Sequence, residues 1–287
     1  MKPSPFSFVR PRALQEALAA LAADPGAKVL AGGQSLVPLL NMRLAAPTTL
    51  VDINGLPHLD EVRVTDQGVR VDALARHAEV LASAGVRRVQ PLLPLALSHV
   101  AHATIRNRGT VVGSLVHADA AAELPMVLSL LGGSVTVQST AGARRIEAAD
   151  LFAGPLETTV RHDEIALQAF FPSLAPGEGV AFDEIARRHG DYALCGAGAV
   201  VRVAGDRVVS ARVGYLSVAD TPTVVDVTEV LEGQVSSVTT GAAGDLALGF
   251  LDPVDDIHAT AAYRAHLVRV LTGRVLRAAY DDARSRA

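Results

Sequence analysis

Near the start of the chain, apolar residues first recur at helical spacing and then fall into the short runs typical of buried strands. An Asp-Pro-Gly sequence at residues 24–26 ends the first helical pattern. The predicted order is a helix through Leu14, Leu18 and Leu21, a strand at 28–31, a helix over 36–44 and a strand at 50–53. This α/β order places a Gly-Gly pair where the backbone can approach a ligand closely.

The middle of the chain is predicted to contain a β-hairpin, two helical regions and two further strands. Apolar residues alternate across Asp66-Gln67-Gly68, as expected for a hairpin over 62–74. Beyond it, the pattern predicts helical structure at 78–101, a helix at 120–131 that ends at a Gly-Gly pair, and strands at 134–138 and 164–170.

A stretch with two prolines and two glycines, residues 172–179, is the best candidate for a linker. After it come two strand-like runs, 198–203 and 207–216, and a long helix over about 259–284. We therefore expect two domains, residues 1–175 and 176–287, the second a smaller α+β domain.

Composition and charge exclude several classes of protein. Of the 287 residues, 49% are hydrophobic and 20% are charged, which is typical of a soluble globular protein. A formal charge of −4 argues against nucleic acid as a partner. The apolar runs are too short for a membrane span, and the N-terminus lacks the apolar segment of a signal peptide, so a cytoplasmic location is expected.

The cysteine count bears on redox chemistry. Cys195 is the only cysteine, so the chain can form no internal disulfide. An iron–sulfur cluster usually takes four thiolates, so any cluster must be held by another chain.

Two segments of small residues are candidates for ligand binding. Ala31-Gly32-Gly33-Gln34-Ser35 lies between a predicted strand and helix, where backbone N–H groups could meet an anion such as a pyrophosphate. Taken alone, a Gly-Gly pair more often marks a tight turn. A second segment, Thr110-Val111-Val112-Gly113-Ser114, is interpreted as another loop of this kind. Two such loops suggest one extended ligand held from two sides, although neither matches the Rossmann or P-loop pattern.

Longer motifs extend these two segments into a resemblance that covers nearly the whole chain. The motifs are Ala31-Gly32-Gly33-Gln34-Ser35-Leu36 with Arg43-Leu44, Ile105-Arg106-Asn107-Arg108-Gly109-Thr110, His117-Ala118-Asp119-Ala120-Ala121-Ala122-Glu123-Leu124-Pro125, and Arg187-Arg188-His189-Gly190-Asp191-Tyr192-Ala193-Leu194. In order and spacing they resemble the FAD-binding medium subunit of carbon monoxide dehydrogenases and xanthine dehydrogenase-type molybdenum hydroxylases.

The resemblance implies an α+β fold. It consists of a two-subdomain FAD-binding domain of the vanillyl-alcohol-oxidase (PCMH) type, with subdomains at about 1–55 and 56–175, and a small C-terminal α+β domain. The two loops would hold the FAD pyrophosphate and ribityl chain, Glu123 would accept hydrogen bonds from the cofactor, and Tyr192 would lie near the isoalloxazine. The expected contact positions are Lys28, Ala31, Gly32, Gly33, Gln34, Ser35, Leu36, Thr110, Val111, Val112, Gly113, Ser114, Asp119, Glu123 and Tyr192.

Two positions depart from the family pattern. Val112 stands where the family usually has glycine, and a β-branched residue disfavours positive φ, so this loop is expected to hold FAD less tightly. Ala120 replaces a proline that is common after His-Ala-Asp, which should loosen that turn.

Several residues have more than one interpretation. His99 and His102 could share a metal, or could be ordinary polar residues on a helix. Asp119 and Glu123 could be paired acid–base carboxylates, or could cap a helix start and orient the cofactor. Lys28 could contact the cofactor or be an exposed charge at a strand end, and His77 could lie near the flavin or on the surface. Cys195 is interpreted as a small buried apolar residue.

The resemblance implies an electron-transfer role, with no catalytic or metal-binding residue in this chain. A molybdenum-cofactor large subunit would hydroxylate the substrate, an iron–sulfur small subunit would relay electrons to FAD, and an external quinone, NAD or oxygen would accept them. Two alternatives stay open: a free-standing flavoprotein oxidoreductase, and an assembly module of the same fold that lacks flavin, which Val112 favours.

Overall fold

The N-terminal part of the chain forms the expected α/β unit. The computed structural model describes residues 2–231, 233, 235 and 237–286. A parallel sheet has the strand order β1 (Ser7–Val9), β3 (Thr49–Asp52), β2 (Ala27–Leu30). Parallel neighbours need a crossover connection, usually a helix. Helices α1 (Leu14–Ala23) and α2 (Leu36–Met42) supply these crossovers, at the positions that the leucine spacing and the apolar run predict.

An antiparallel sheet follows. Its strand order is β4 (Val62–Thr65), β5 (Gly68–Asp72), β10 (Ile165–Pro172), β6 (Ser134–Ser139), β7 (Gly142–Glu147). The expected hairpin and the strands near 134 and 165 are confirmed, whereas β7 was not predicted. Short elements connect β7 to β10: α9 (Ala148–Leu151), β8 (Phe152–Gly154) and β9 (Glu157–Thr158).

The helical region expected over 78–101 is helical over most of its length, and it is divided into short helices. They are α3 (His77–Ala82), α4 (Ala84–Val89) and α5 (Leu92–Leu97), followed by α6 (Ala103–Arg106), α7 (Val111–His117) and α8 (Glu123–Leu131). Ser83 caps α4 by accepting the Val86 N–H at 3.2 Å, and Pro91 precedes α5. Helix α8 begins at Glu123 rather than at residue 120 and ends, as predicted, at left-handed Gly132.

The C-terminal part is a second antiparallel sheet covered by helices. Its strands, in sequence and in space, are β11 (Glu178–Ala186), β12 (Ala193–Ala204), β13 (Arg207–Leu216) and β14 (Thr223–Asp226). The helices are α10 (Thr228–Leu231), α11 (Ser237–Leu248) and α12 (Ala261–Arg286). The long terminal helix is confirmed. In the part of the chain that the structure describes, no helix is both long and apolar enough to cross a bilayer.

Helix α8 joins the two parts through the side chain of Met126. A β-carbon on Gly198 of β12 would lie 3.0 Å from the Met126 methyl carbon, and one on Gly214 of β13 would lie 2.7 Å from its sulfur. Met126 is fully buried in a core that also includes Val200 of β12. The close packing therefore fixes α8, and with it Glu123, against the C-terminal sheet.

Helix α12 packs tightly on β11 at Gly179. A β-carbon there would collide with the backbone of Ala279 and Ala283 in α12. Because the backbones must separate to make room, we predict that Gly179→Ala lowers the free energy of unfolding by about 1–3 kcal/mol in urea titrations. Gly241 in α11 has open space around it and serves as the control. Gly241→Ala should be neutral or stabilising, by up to about 1 kcal/mol. Equal stability of the two variants would contradict the packing described.

Candidate functional site

A cavity of about 540 Å³ lies where the parallel sheet, the short helices and the C-terminal part meet. Its walls come chiefly from residues 28–45, 100–123, 156–166 and 190–192. All the expected contact positions line this cavity except Val111: Lys28, Ala31, Gly32, Gly33, Gln34, Ser35, Leu36, Thr110, Val112, Gly113, Ser114, Asp119, Glu123 and Tyr192. The structure therefore brings together residues that are more than 150 positions apart in sequence.

The first glycine segment has two glycines with different tasks. Gly33 has a φ of +73°, a left-handed conformation that glycine adopts without strain. Gly32 is needed for space, because a β-carbon there would collide with the Arg108 carbonyl and lie 2.9 Å from the Gly109 Cα. The first segment therefore touches the chain just before the second one.

Hydrogen bonds hold the two segments at this contact. The Asn54 side chain donates to the Ala31 carbonyl at 2.8 Å and accepts from Arg76 Nη2 at 2.8 Å. Arg76 Nη1 also donates to the Arg108 carbonyl at 2.7 Å. One guanidinium thus links the first segment, through Asn54, to the Arg108 carbonyl just before the second segment. Neither Asn54 nor Arg76 was singled out in the sequence, where nothing about either position marks it.

The second segment is the start of a helix rather than an open loop, which corrects the prediction from sequence. Thr110 is the N-cap of α7, and its hydroxyl accepts the Gly113 N–H at 3.1 Å. A β-carbon on Gly113 would lie 2.5 Å from that hydroxyl. A side chain at position 113 would therefore displace the Thr110 hydroxyl from its present position.

One premise of the argument that Val112 weakens this segment, the need for a positive φ, does not hold. Val112 lies within α7, where no positive φ is needed. The residue is 3% exposed and belongs to the hydrophobic core, and it also forms part of the cavity wall. Val111 is fully buried and lies outside the cavity lining, and its N–H donates to the Ala75 carbonyl at 3.3 Å. Both valines stabilise the helix packing beneath the cavity.

Asp119 does not cap α8, whereas Glu123 stands in the first turn of that helix. Asp119 accepts the Ala121 N–H at 2.9 Å in the turn before the helix, while the N-cap residue is Ala122, whose side chain makes no capping bond. Glu123 is the first residue of α8 and lines the cavity. Burial, together with the nearby charge of Glu184, raises the pKa of Glu123 to about 8. This carboxyl therefore holds a proton at neutral pH.

The turn 190–192 brings the C-terminal part to the cavity. Gly190 has a φ of +87°, and a β-carbon there would lie 2.8 Å from the Ala101 carbonyl oxygen. This close contact places Asp191 and Tyr192 on the cavity wall. Tyr192 is 68% exposed, so its ring lies at the cavity mouth.

His77 lies buried at the cavity, so it is not a surface residue. The residue is 5% exposed, and its backbone N–H donates to the Gly109 carbonyl at 3.0 Å. Burial, with smaller contributions from Arg106 and Arg76, lowers the pKa of His77 to about 4, and the nearby Thr110 carbonyl opposes this shift only in part. Among the described residues, no polar atom forms a well-aligned hydrogen bond with either ring nitrogen.

His99, His102 and Cys195 lie outside the cavity lining, whereas Lys28 belongs to it. His99 Nδ1 is 3.3 Å from Glu184 Oε1, and the described residues contain no group of three or more His, Cys, Asp or Glu side chains able to hold a metal. Cys195 is fully buried in β12, and burial raises the pKa of its thiol to about 12, as suits a small apolar residue. Lys28 lines the cavity from the exposed end of β2.

The residues present fit a dinucleotide. The cavity volume falls in the range of ligand sites, about 300–1,000 Å³. Small residues occupy the wall formed by the two segments, so the backbone of that wall is open to close approach by a ligand. Lining residues outside the expected contact positions include Val29, Leu39, Ile105, His117, Leu156, Glu164 and Asp191.

Two family models match the chain. One, described as the FAD binding domain in molybdopterin dehydrogenase, matches residues 4–174, and the other, the CO dehydrogenase flavoprotein C-terminal domain, matches residues 180–279. Together they cover most of the sequence with two family-specific units.

Individual proteins are similar over their full lengths. The chain is 42% identical to the 6-hydroxypseudooxynicotine dehydrogenase complex subunit alpha of Paenarthrobacter nicotinovorans, over 99% of this chain and 97% of that one. It is 38% identical to the nicotine 6-hydroxylase medium subunit of the same organism, over 96% and 98%. A chain of quinoline 2-oxidoreductase from Pseudomonas putida 86 superposes with a TM-score of 0.94 at 37% identity, over 99% and 100%.

These matches confirm the expected fold, an FAD-binding domain followed by the C-terminal domain of the carbon monoxide dehydrogenase flavoprotein. They also confirm FAD as the cofactor and oxidoreductases as the enzyme class. The chain belongs to the family of FAD-binding medium subunits of the molybdenum hydroxylases, the carbon monoxide dehydrogenase and xanthine dehydrogenase type.

Proposed function

We propose that this chain transfers electrons from an iron–sulfur small subunit to an external acceptor, while a molybdenum-cofactor large subunit hydroxylates the substrate. The observation that carries the proposal is the cavity closed by the two glycine-containing segments. When bound there, FAD supplies redox chemistry that can accept electrons singly and release them as a pair. The acceptor is a quinone, NAD or oxygen.

The chain's own groups support an external source of electrons. Its one cysteine, Cys195, is buried with a thiol pKa raised to about 12, so it offers no thiolate to a cluster. The described residues hold no metal-binding group of three or more side chains. An electron donor with metal centres would therefore have to be a separate chain, and the substrate pocket would lie on the large subunit.

The proposed FAD contacts are the expected positions that line the cavity. We assign the pyrophosphate and ribityl chain to the first segment, Ala31 to Leu36, and to the start of α7 at Thr110, Val112, Gly113 and Ser114. Lys28 and Asp119 complete the wall near these segments. Val111 contributes packing only.

Two residues act on the cofactor in ways that the structure refines. Because Glu123 is protonated at neutral pH, its carboxyl can donate a hydrogen bond as well as accept one. The exposed ring of Tyr192, at the cavity mouth, would pack over the flavin and exclude water from it.

The alternatives are weighed by the same observations. The flavin-less module was favoured by Val112, and the helical conformation of that residue removes the backbone argument for it, although the Val112 side chain lines the cavity. A free-standing flavoprotein needs no second chain, so copurification separates it from the subunit that we propose.

We also propose that the domain boundary lies near residue 175, between β10 and β11.

The test of flavin binding uses a substitution that fills the cavity. Ser114 lines the cavity, so Ser114→Leu should reduce FAD retention at least tenfold, whereas purified wild type should show a flavin band near ~450 nm. Ser129→Leu, on α8 and outside the cavity lining, is the matched control and should keep its flavin. Colourless wild type that takes up no FAD would refute the function.

Coexpression with the two partner subunits should yield a ternary complex.

The protonation of Glu123 predicts a pH dependence of stability. Its folded pKa of about 8 lies above the ordinary value of 4.5, so between these pH values folded protein holds a proton that the unfolded chain has released. Stability is therefore lost as the pH rises through this range. In urea titrations from pH 5 to 8, the free energy of unfolding of wild-type apoprotein should fall by roughly 1–3 kcal/mol relative to that of Glu123→Gln. The exposed Glu229→Gln variant is the control and should show the same pH dependence as wild type. A difference in unfolding free energy between Glu123→Gln and wild type that does not change with pH would be evidence against a buried proton.

A further inference from the structure

A polar pair lies outside the cavity lining, where the segment after α5 meets strand β11. His99 Nδ1 is 3.3 Å from Glu184 Oε1. The imidazole also packs against the Phe182 ring of β11, with centroids 5.1 Å apart, and meets the His189 ring at 6.1 Å. One side chain from the N-terminal part is therefore held by strand β11 and by the residues that follow it.

The contact around this pair carries the turn at the cavity mouth. Segment 99–102 packs against β11 and the turn 187–192, and we call this contact the seam. A β-carbon on Gly190 in the turn would lie 2.8 Å from the Ala101 carbonyl oxygen. Tyr192, at the end of the turn, lines the cavity and is exposed. Loosening of the seam would therefore move the residue that lies at the cavity mouth.

Glu184 needs a positive partner because it is buried. Its side chain is 3% exposed, whereas that of His99 is 28% exposed. Among the described residues, the Oε2 atom of Glu184 has no hydrogen-bond partner. Removing the partner of a buried carboxylate is strongly destabilising, because the charge is left without compensation. The seam is therefore most stable while the His99 ring holds its second proton.

Carboxylates lie around the imidazole and favour its protonated form. The hydrogen bond to Glu184 raises the pKa of His99, while burial opposes this shift. The negative charges that also raise it are those of Glu184, Glu123 and Asp183. Of these groups, Asp183 also accepts a hydrogen bond from Arg274 of α12 at 3.2 Å, so its charge is partly offset.

The other titratable or charged side chains at the seam are at least partly exposed. They are His102, Arg187, Arg188, His189 and Asp191. Arg188 and Asp191 pair with each other at 3.1 Å. Solvent and salt screen charges at the surface, so this group acts on His99 less strongly than the buried Glu184 does.

The response of the seam to pH has one direction. Because the folded pKa of His99 lies above its ordinary value of 6.5, the ion pair stabilises the seam fully below that value and is lost as the pH rises through the folded pKa. Glu123, whose pKa is about 8, also releases its proton in the alkaline range, which places a second negative charge near Glu184. Both changes weaken the seam in alkali.

We propose that the His99–Glu184 pair is a pH-sensitive latch, which holds the turn 187–192 against segment 99–102 in mildly acidic solution and releases it in alkaline solution. The released turn carries Tyr192 away from the cavity wall, so the mouth of the cavity widens. The latch is a contact between the two parts of the chain and needs no bound ligand. It can therefore be tested independently of the proposed function.

Hydrogen exchange of the full chain at pH 6 and pH 9 tests the latch, after correction for the faster intrinsic exchange in alkali. The Asp191 N–H bonds to the Arg188 carbonyl at 3.0 Å, so its protection reports on the turn. Between these pH values, we expect this protection to fall about tenfold more than that of the amides in β13, which corresponds to a difference of one pKa unit.

Two variants remove the ion pair from opposite sides. His99→Gln is uncharged at every pH, and Glu184→Gln removes the buried negative charge. In each, we expect the Asp191 protection to change by less than about threefold between pH 6 and pH 9, relative to β13. His266→Gln, at an exposed position of α12, is the matched control and should keep the wild-type pH dependence.

Two results would overturn the latch. One is a wild-type protection at Asp191 that falls no more than that of β13. The other is a wild-type pH dependence that persists in His99→Gln or Glu184→Gln, each unfolding at the wild-type temperature. The measurement uses no flavin, so either result leaves the proposed function standing, and failure to bind FAD would leave the latch standing.

Discussion

The site depends on the close approach of two stretches of backbone that are far apart in sequence. Gly32 meets the backbone of Arg108 and Gly109 so closely that no side chain fits between them. Arg76 bonds to the Arg108 carbonyl and, through Asn54, reaches the carbonyl of Ala31. If these stretches separated, the cavity would lose the wall that the two segments form together, and no single segment could enclose a dinucleotide.

The C-terminal part completes the cavity by an independent contact. Gly190 packs against the Ala101 carbonyl, and the Ser217 N–H donates to the Ala120 carbonyl at 2.9 Å. Met126 is meanwhile enclosed by β12 and β13, which fixes the start of α8. Tyr192 and Glu123 therefore reach the site from elements that the C-terminal sheet positions.

Much of the fold could be predicted from local pattern. Leucine spacing located α1, alternation located the hairpin β4–β5, and the apolar runs located β12, β13 and the terminal helix. These elements have periodic burial, which is what a sequence pattern reports. The start of α7 was mistaken for a loop because its threonine cap and glycine are also typical of turns.

Only those parts of the site that lie in recognisable sequence motifs could be predicted. The glycine segments and the carboxylates were indicated by motif resemblance, and the structure places nearly all of them in one cavity. Arg76 and Asn54 act through hydrogen bonds to distant backbone, so nothing in their local sequence distinguishes them. The pKa of Glu123 likewise depends on Glu184, which comes from β11.

Hydrogen exchange of the backbone amides, with and without FAD, tests the central claim that both segments close around one ligand. Residues 32–36 and 110–114 should gain protection together, at the same FAD concentration, because a single dinucleotide contacts both. Protection of one segment alone, or of neither at saturating FAD, would show that the ligand does not lie between them.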